Sequence, residues 1–113
     1  MTLALPCILS DLVAAHNAHD PDALVACFAP DAVVRDEGRT HVGHAAIRAW
    51  FSQVIQSSRP TLEVTDLTSA DGEPVLEGLV SGAFPGSPIR LRFFTGLDDG
   101  RIVALKIAAA SSH

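Results

Sequence analysis

The feature that most constrains this chain is the run Ala32-Val33-Val34-Arg35-Asp36-Glu37-Gly38, followed by Gly43 and by Ala46-Ile47-Arg48-Ala49-Trp50-Phe51. An apolar, β-branched strand ends in two acids and gives way at once to a helical repeat. The chain before this run reads as helix, and the chain after Pro60 reads as strand. The junction is therefore where a curved sheet meets its helical cover, and it leaves one acid, Asp36, at the end of an apolar strand face.

Upstream, Leu5, Ile8, Leu9, Leu12 and Val13 recur at three- and four-residue steps, with Pro6 suited to an early helical position. This predicts an amphipathic helix from Leu5 to about His19. Asp20-Pro21 reads as an N-cap and a first-turn proline, opening a second helix through Leu24, Val25 and Phe28 that Ala29-Pro30 ends. Val33 and Val34, a turn at Gly38-Arg39 and then Thr40-His41-Val42 predict a short hairpin. Ile47, Trp50, Phe51, Val54 and Ile55 keep the spacing of a helix that buries one face, and Ser57-Ser58-Arg59-Pro60 stops it.

The remainder alternates and turns as a four-strand meander: Thr61 to Ser69, Pro74 to Phe84, Ile89 to Leu97 and Arg101 to Ala108. Asp71-Gly72, Pro85-Gly86-Ser87-Pro88 and Asp98-Asp99-Gly100 supply the connections. The fold class expected is α+β, with three N-terminal helices packed on one face of a strongly curved antiparallel sheet. Such a cone has an open end able to hold an apolar small molecule. With 113 residues, 48% of them hydrophobic, residues 1–113 form one domain and are too few for two. The tail from Ala108 to His113 is expected to fray.

Charge removes some functions. The formal net charge is −5 and Lys106 is the only lysine, so the clustered cations of a nucleic-acid footprint are missing. No apolar run reaches the ~20 residues of a membrane span, and Met1 to Leu9 lacks the basic start of a secretory signal. A soluble cytoplasmic protein is the resulting expectation. Cys7 and Cys27 sit in Ala/Leu/Val-rich helical surroundings without zinc-site spacing, and are expected to be small core residues.

Asp36 shares strand parity with Ala32 and Val34, and an acid there must lie near a mouth, be paired or be hydrogen-bonded. One reading makes it a group that accepts or donates a proton near neutral pH. The other pairs it with Arg35, Arg39 or Arg48, or has it cap a turn. Glu37 alternates to the other face, as a solvated loop acid. His41 and His44 flank Gly43, where an imidazole could share a proton with Asp36, or they are exposed at a helix entry. His16 and His19 lack a third metal ligand, and a helix-end histidine that satisfies a carbonyl is the simpler reading. Asp66 has the parity of Leu62 and Val64, so it faces inward unless a bulge intervenes. Arg90 and Arg92 read as surface or interface cations. Trp50, Phe51, Phe93 and Phe94 are core anchors, of which Trp50 and Phe93 are the candidates to line the open end.

The order of elements, with Asn17-Ala18-His19-Asp20, Phe28-Ala29-Pro30-Asp31-Ala32-Val33-Val34, Gly43 and Ala46-Ile47-Arg48-Ala49-Trp50-Phe51, resembles the SnoaL-like branch of the nuclear transport factor 2-like superfamily across essentially the whole chain. That resemblance implies a cystatin-like α+β cone and a homodimer. It places Asp36 where ketosteroid isomerases keep the aspartate that shuttles a proton beside a carbonyl. The tyrosine and protonated aspartate of their oxyanion hole fall at Leu12 and near Phe93, and the chain has no tyrosine at all. The Arg-x-Asp signature of limonene epoxide hydrolases is missing too, since Arg90 and Arg92 are followed at that spacing by Arg92 and Phe94. Two functions stand open. One is a cofactor-free isomerase, cyclase or hydrolase with Asp36 as the proton-transfer group, helped by His41 or His44. The other is a noncatalytic binding or dimeric assembly module.

Overall fold

The computed structural model describes residues 5–36 and 38–109. The readings of Glu37, Met1 to Ala4 and the last four residues lie outside them. The elements in order are α1 (Cys7–Asn17), α2 (Pro21–Ala26), β1 (Phe28–Asp36), β2 (Arg39–Val42), α3 (His44–Ser58), β3 (Thr61–Ala70), β4 (Glu73–Ser81), β5 (Ile89–Asp98) and β6 (Arg101–Ala109).

Local chemistry accounts for most of the boundaries. The Pro6 carbonyl accepts from the amides of Leu9 and Ser10 at 3.0 Å, so α1 starts just after the proline. Asp20 caps α2, its Oδ1 accepting the Ala23 amide at 3.1 Å, with Pro21 in the first turn. Asp71-Gly72 and Asp99-Gly100 have positive φ at both residues, as tight hairpin turns between right-twisted strands require.

β4 stops at Ser81, short of the expected Phe84, α1 is shorter at both ends than the expected Leu5 to about His19, and one boundary changes the kind of element. Phe28 opens β1 instead of closing α2. Pro30 explains this: continued helix would put its ring against the Ala26 carbonyl and force Ala29 into a conformation that a following proline disfavours. The chain extends at Phe28, the Ile102 amide donates to the Cys27 carbonyl at 3.0 Å, and Pro30 falls inside the register shift between Phe28 and Val33.

The strands form one curled sheet in the order β2-β1-β6-β5-β4-β3. The expected sheet was antiparallel throughout; the β1–β6 ladder is parallel and the other four are antiparallel. Alternation reports which side chains share a face and says nothing of strand direction. A crossover through α3 and the meander is long enough to return β6 alongside β1. Nor do all three helices precede the sheet, because α3 follows the β1–β2 hairpin. It packs on α2, β1 and β2, while α1 packs on α2 and β3.

The core lies between helices and sheet. Leu9, Leu24, Phe28, Val34, Ile47, Phe51, Leu76 and Ile102 are its largest fully buried side chains. Burial of each is worth about 1.5–3 kcal/mol. Asn17 fastens α1 to the start of β3, donating from Nδ2 to the Leu62 carbonyl at 3.0 Å and accepting the Leu62 amide at 2.8 Å. Cys27 is buried as expected, but Cys7, in the first turn of α1, is exposed. No helix among the described residues is long and apolar enough to cross a membrane.

Candidate functional site

Alternation along β1 puts Asp36 on the same face as Ala32 and Val34, both 0% exposed. At the strand's end this face opens, so the carboxylate is only partly buried. The hairpin turns β2 back along β1 with Val34 opposite His41 and Asp36 opposite Arg39. Gly43 then reverses the chain at φ 87°, its amide bonded to the Ala32 carbonyl at 2.9 Å, which directs α3 across the same face. In consequence the Trp50 indole reaches Asp36: Nε1–H donates to Oδ2 at 3.1 Å. The ring of His41 lies 5.9 Å from that of Trp50, so the indole joins both titratable groups. Oδ1 of Asp36 accepts no hydrogen bond from protein donors among the described residues.

Next to Asp36 across the sheet come Ile107 and then Phe93. Phe93 is 6% exposed and belongs to the core. Of the residues singled out from the sequence, Asp36 and His41 thus each meet Trp50, and Phe93 lies two strands away on the same row as Asp36. His44 stands apart from them: its Nε2 is 2.8 Å from the Phe28 carbonyl, which makes it the donor and ties the first residue of α3 to the backbone at the start of β1. Asp66 is placed on the outer face. Thr65 is an extra residue between the pairs Val64–Gly78 and Asp66–Glu77, and its hydroxyl donates to the Glu77 carbonyl at 3.2 Å. This bulge reverses the parity that would have turned Asp66 inward.

Asp36 takes part in no ion pair among the described residues. Arg48 pairs with Asp22 of α2. On the outer face Glu77 accepts from Arg92 at 2.9 Å and Arg90 at 3.2 Å, and these contacts, Arg92 first, hold its carboxyl below the usual carboxylate range.

His16 is the neighbour not assigned to the site from sequence. Its ring is 5.4 Å from Phe51, and Phe51 is 6.0 Å from Trp50, giving a run of rings from α1 to β2. Burial pushes the His16 imidazole below its ordinary pKa and nearby His19 adds to this, against the opposing hydrogen bond to Asn17. The imidazole is therefore neutral at pH 7. The clue was present in the sequence: His16 continues the Leu9–Leu12 stripe at helical spacing. His19, in the left-handed region at φ 54°, meets the Pro60 carbonyl with Nε2 at 2.8 Å, so its carbonyl partner lies between α3 and β3 and not at the end of α1 as expected of a helix-end histidine.

Open cavities flank the sheet and helices among the described residues. A cleft of about 310 Å³ is bounded by Arg35, Asp36, Gly38, Arg39, Thr40, Lys106 and Ile107. A larger groove of about 480 Å³ runs between α1 and α2 over alanines and Cys27. The groove has no proton-transfer group beyond Asp11, and burial, with Asp11 nearby, raises the Cys27 thiol's pKa, leaving it a poor nucleophile. Chemistry therefore selects the smaller cleft, which has Asp36 in its wall. No three His, Cys, Asp or Glu side chains gather as a metal site among the described residues.

Helices packed over one face of a curled sheet, with a carboxylate held by an indole at the sheet's open end, define the class: a small α+β domain with a helical layer on one sheet face. The chain belongs to the SnoaL-like domain family, whose pattern it matches over residues 9–105. The fold is also that of a putative polyketide cyclase from Sinorhizobium meliloti, at 38% identity and TM-score 0.87, over 92% of this chain and 95% of that one. A Catenulispora acidiphila protein with a ketosteroid isomerase-like fold, solved with trimethylamine, is 21% identical at TM-score 0.83, covering 96% and 89%. A Mycobacterium tuberculosis protein solved with estradiol-17β-hemisuccinate is 18% identical at TM-score 0.77, covering 92% of each chain. No protein of curated function matches the sequence.

Proposed function

We propose that this protein is an isomerase- or cyclase-type enzyme that moves a proton on an apolar carbonyl compound, with Asp36 as the general base. The observation that carries the reading is the Trp50–Asp36 hydrogen bond on the concave face. One carboxylate oxygen is fixed by the indole, and the other is left to meet a C–H bond beside a carbonyl. The protonated Asp36 then returns the proton to the substrate, with His41 packed against the same indole and helping to hold it in place. The likeness to the Sinorhizobium meliloti protein adds cyclisation to the reactions that such a base would serve. The reaction needs no organic cofactor or metal.

The test is exchange of α-protons into deuterated water, followed by NMR over a panel of apolar ketones and β-keto esters. General-base catalysis contributes about 10²–10⁴-fold, so Asp36→Asn should remove nearly all exchange while leaving the fold intact. A folded Asp36→Asn protein with full exchange rejects Asp36 as the base.

A second reading, a noncatalytic small-molecule-binding module, draws on Leu12 and Phe93. They stand where the resemblance would put oxyanion donors, and both are buried apolar side chains. Ligand binding without exchange in the same panel would favour this reading. Under either reading the protein is expected to be a homodimer.

A further inference from the structure

Three of the eight cationic side chains in the sequence, Arg35, Arg39 and Lys106, line the cleft that contains Asp36. Arg35 and Lys106 are register partners in the parallel β1–β6 ladder, and Arg39 is the partner of Asp36 across the hairpin. None of the three lies within ion-pair distance of an acid among the described residues, whereas Arg48, Arg90 and Arg92 each hold a carboxylate. Asp36 is the only acid in the cleft wall among the described residues, and one of its oxygens already accepts from Trp50.

This arrangement runs against the chain's own charge balance. At a net charge of −5 acids outnumber cations, yet three cations line this one cleft beside a single carboxylate among the described residues, Arg39 on the face of Asp36 and Arg35 and Lys106 on the opposite face of the sheet end. Like charges side by side on neighbouring strands are destabilising. Local conflicts of this kind gather where a ligand resolves them.

We propose that the cleft is a subsite for a carboxylate carried by the substrate, so that the protein acts on apolar acids in preference to neutral molecules. Arg39 shares the face of Asp36, and its planar fork suits bidentate contact with a carboxylate. Arg35 and Lys106 belong to the opposite face and close the cleft at its lip, where they draw the anion in against the overall negative field. Ile107 provides apolar footing between the anion and the concave face. The proposal deepens the Asp36 reading by naming the substrate class, while the binding it predicts does not depend on turnover.

The experiment is an amide chemical-shift titration at low ionic strength with phenylbutyrate and, in parallel, its methyl ester, which keeps the shape and removes the charge. The acid is expected to bind about tenfold more tightly than the ester, moving the amides of Arg39, Thr40 and Ile107. The double variant Arg39→Ala/Lys106→Ala should lose that preference while its ester affinity stays within about twofold of wild type. Arg39→Gln serves as a milder second variant and should weaken the preference without abolishing it.

Equal affinities for acid and ester in the wild type would overturn the proposal. So would a preference that survives the double variant. Asp36→Asn should keep or strengthen the preference. Failure of the Asp36 reading instead shows as α-proton exchange retained in that variant, so the two failures are distinguishable.

Discussion

Trp50→Phe and Asp36→Ala, made singly and together, measure the contact on which the site is built. Phenylalanine keeps an aromatic ring against Phe51 and removes the indole N–H that donates to Asp36 at 3.1 Å. A hydrogen bond to a charged group is worth about 1.5–3 kcal/mol. Both side chains are only partly buried, so solvent screening lowers the expectation to about 1–1.5 kcal/mol. The readout is urea unfolding. With m of about 1–3 kcal/mol/M, 1 kcal/mol moves the midpoint by about 0.3–1 M. The coupling energy of the cycle should be near 1 kcal/mol. The pair Trp50→Phe with Asp66→Ala is the control and should be additive, because Asp66 lies on the other side of the sheet. Additivity of Trp50 and Asp36 within about 0.3 kcal/mol would refute the argument, since an indole and a carboxylate that act independently do not form a preorganised site.

His16 and Asn17 supply further outcomes. The folded state keeps His16 neutral below its ordinary pKa of 6.5, so the unfolded chain binds the proton more readily. Unfolding free energy should therefore fall as pH drops from about 6.5 toward the lowered folded value, and His16→Gln should flatten that part of a urea-based pH series; an unchanged slope would clear His16. Asn17→Ala removes both side-chain bonds to Leu62 and should cost about 1–3 kcal/mol, read by the same unfolding assay.

Much of the architecture could be read from local signals. Asp20-Pro21, the Ile47 to Ile55 stripe and the Asp-Gly turns are decided within a few residues, and the structure agrees with them. The features that escaped reading depend on distant partners. Phe28 fits the helical stripe before it and also the strand after it; pairing with β6 settles the matter in favour of the strand. The parallel ladder leaves no mark on alternation. At the site, the parity of Asp36 with Ala32 and Val34 was readable, and so was the candidacy of Trp50. The position of Asp66 was not, because it depends on a single extra residue, Thr65, whose bulge shows only in the ladder with β4. For His16 the stripe marked the buried face, but its ring neighbour Phe51 comes thirty-five residues later in the chain and leaves no local sign.

The place of β6 in the sheet bears on how the protein is made. This strand, the last of the nine elements described, lies between β1 and β5 and is hydrogen-bonded to both. During synthesis the hairpin leaves the ribosome early and the meander later, and neither has its final neighbour until β6 emerges. Until then the edges of β1 and β5 are unpaired and the apolar faces of β1 and α3 lack part of their cover. Chains of this connectivity close through sequence-distant contacts, which slows folding and lengthens exposure of sticky edges. Ribosome-bound chains stopped short of Arg101 should therefore be protease-sensitive and engaged by chaperones, and protection should arrive abruptly once β6 clears the exit tunnel.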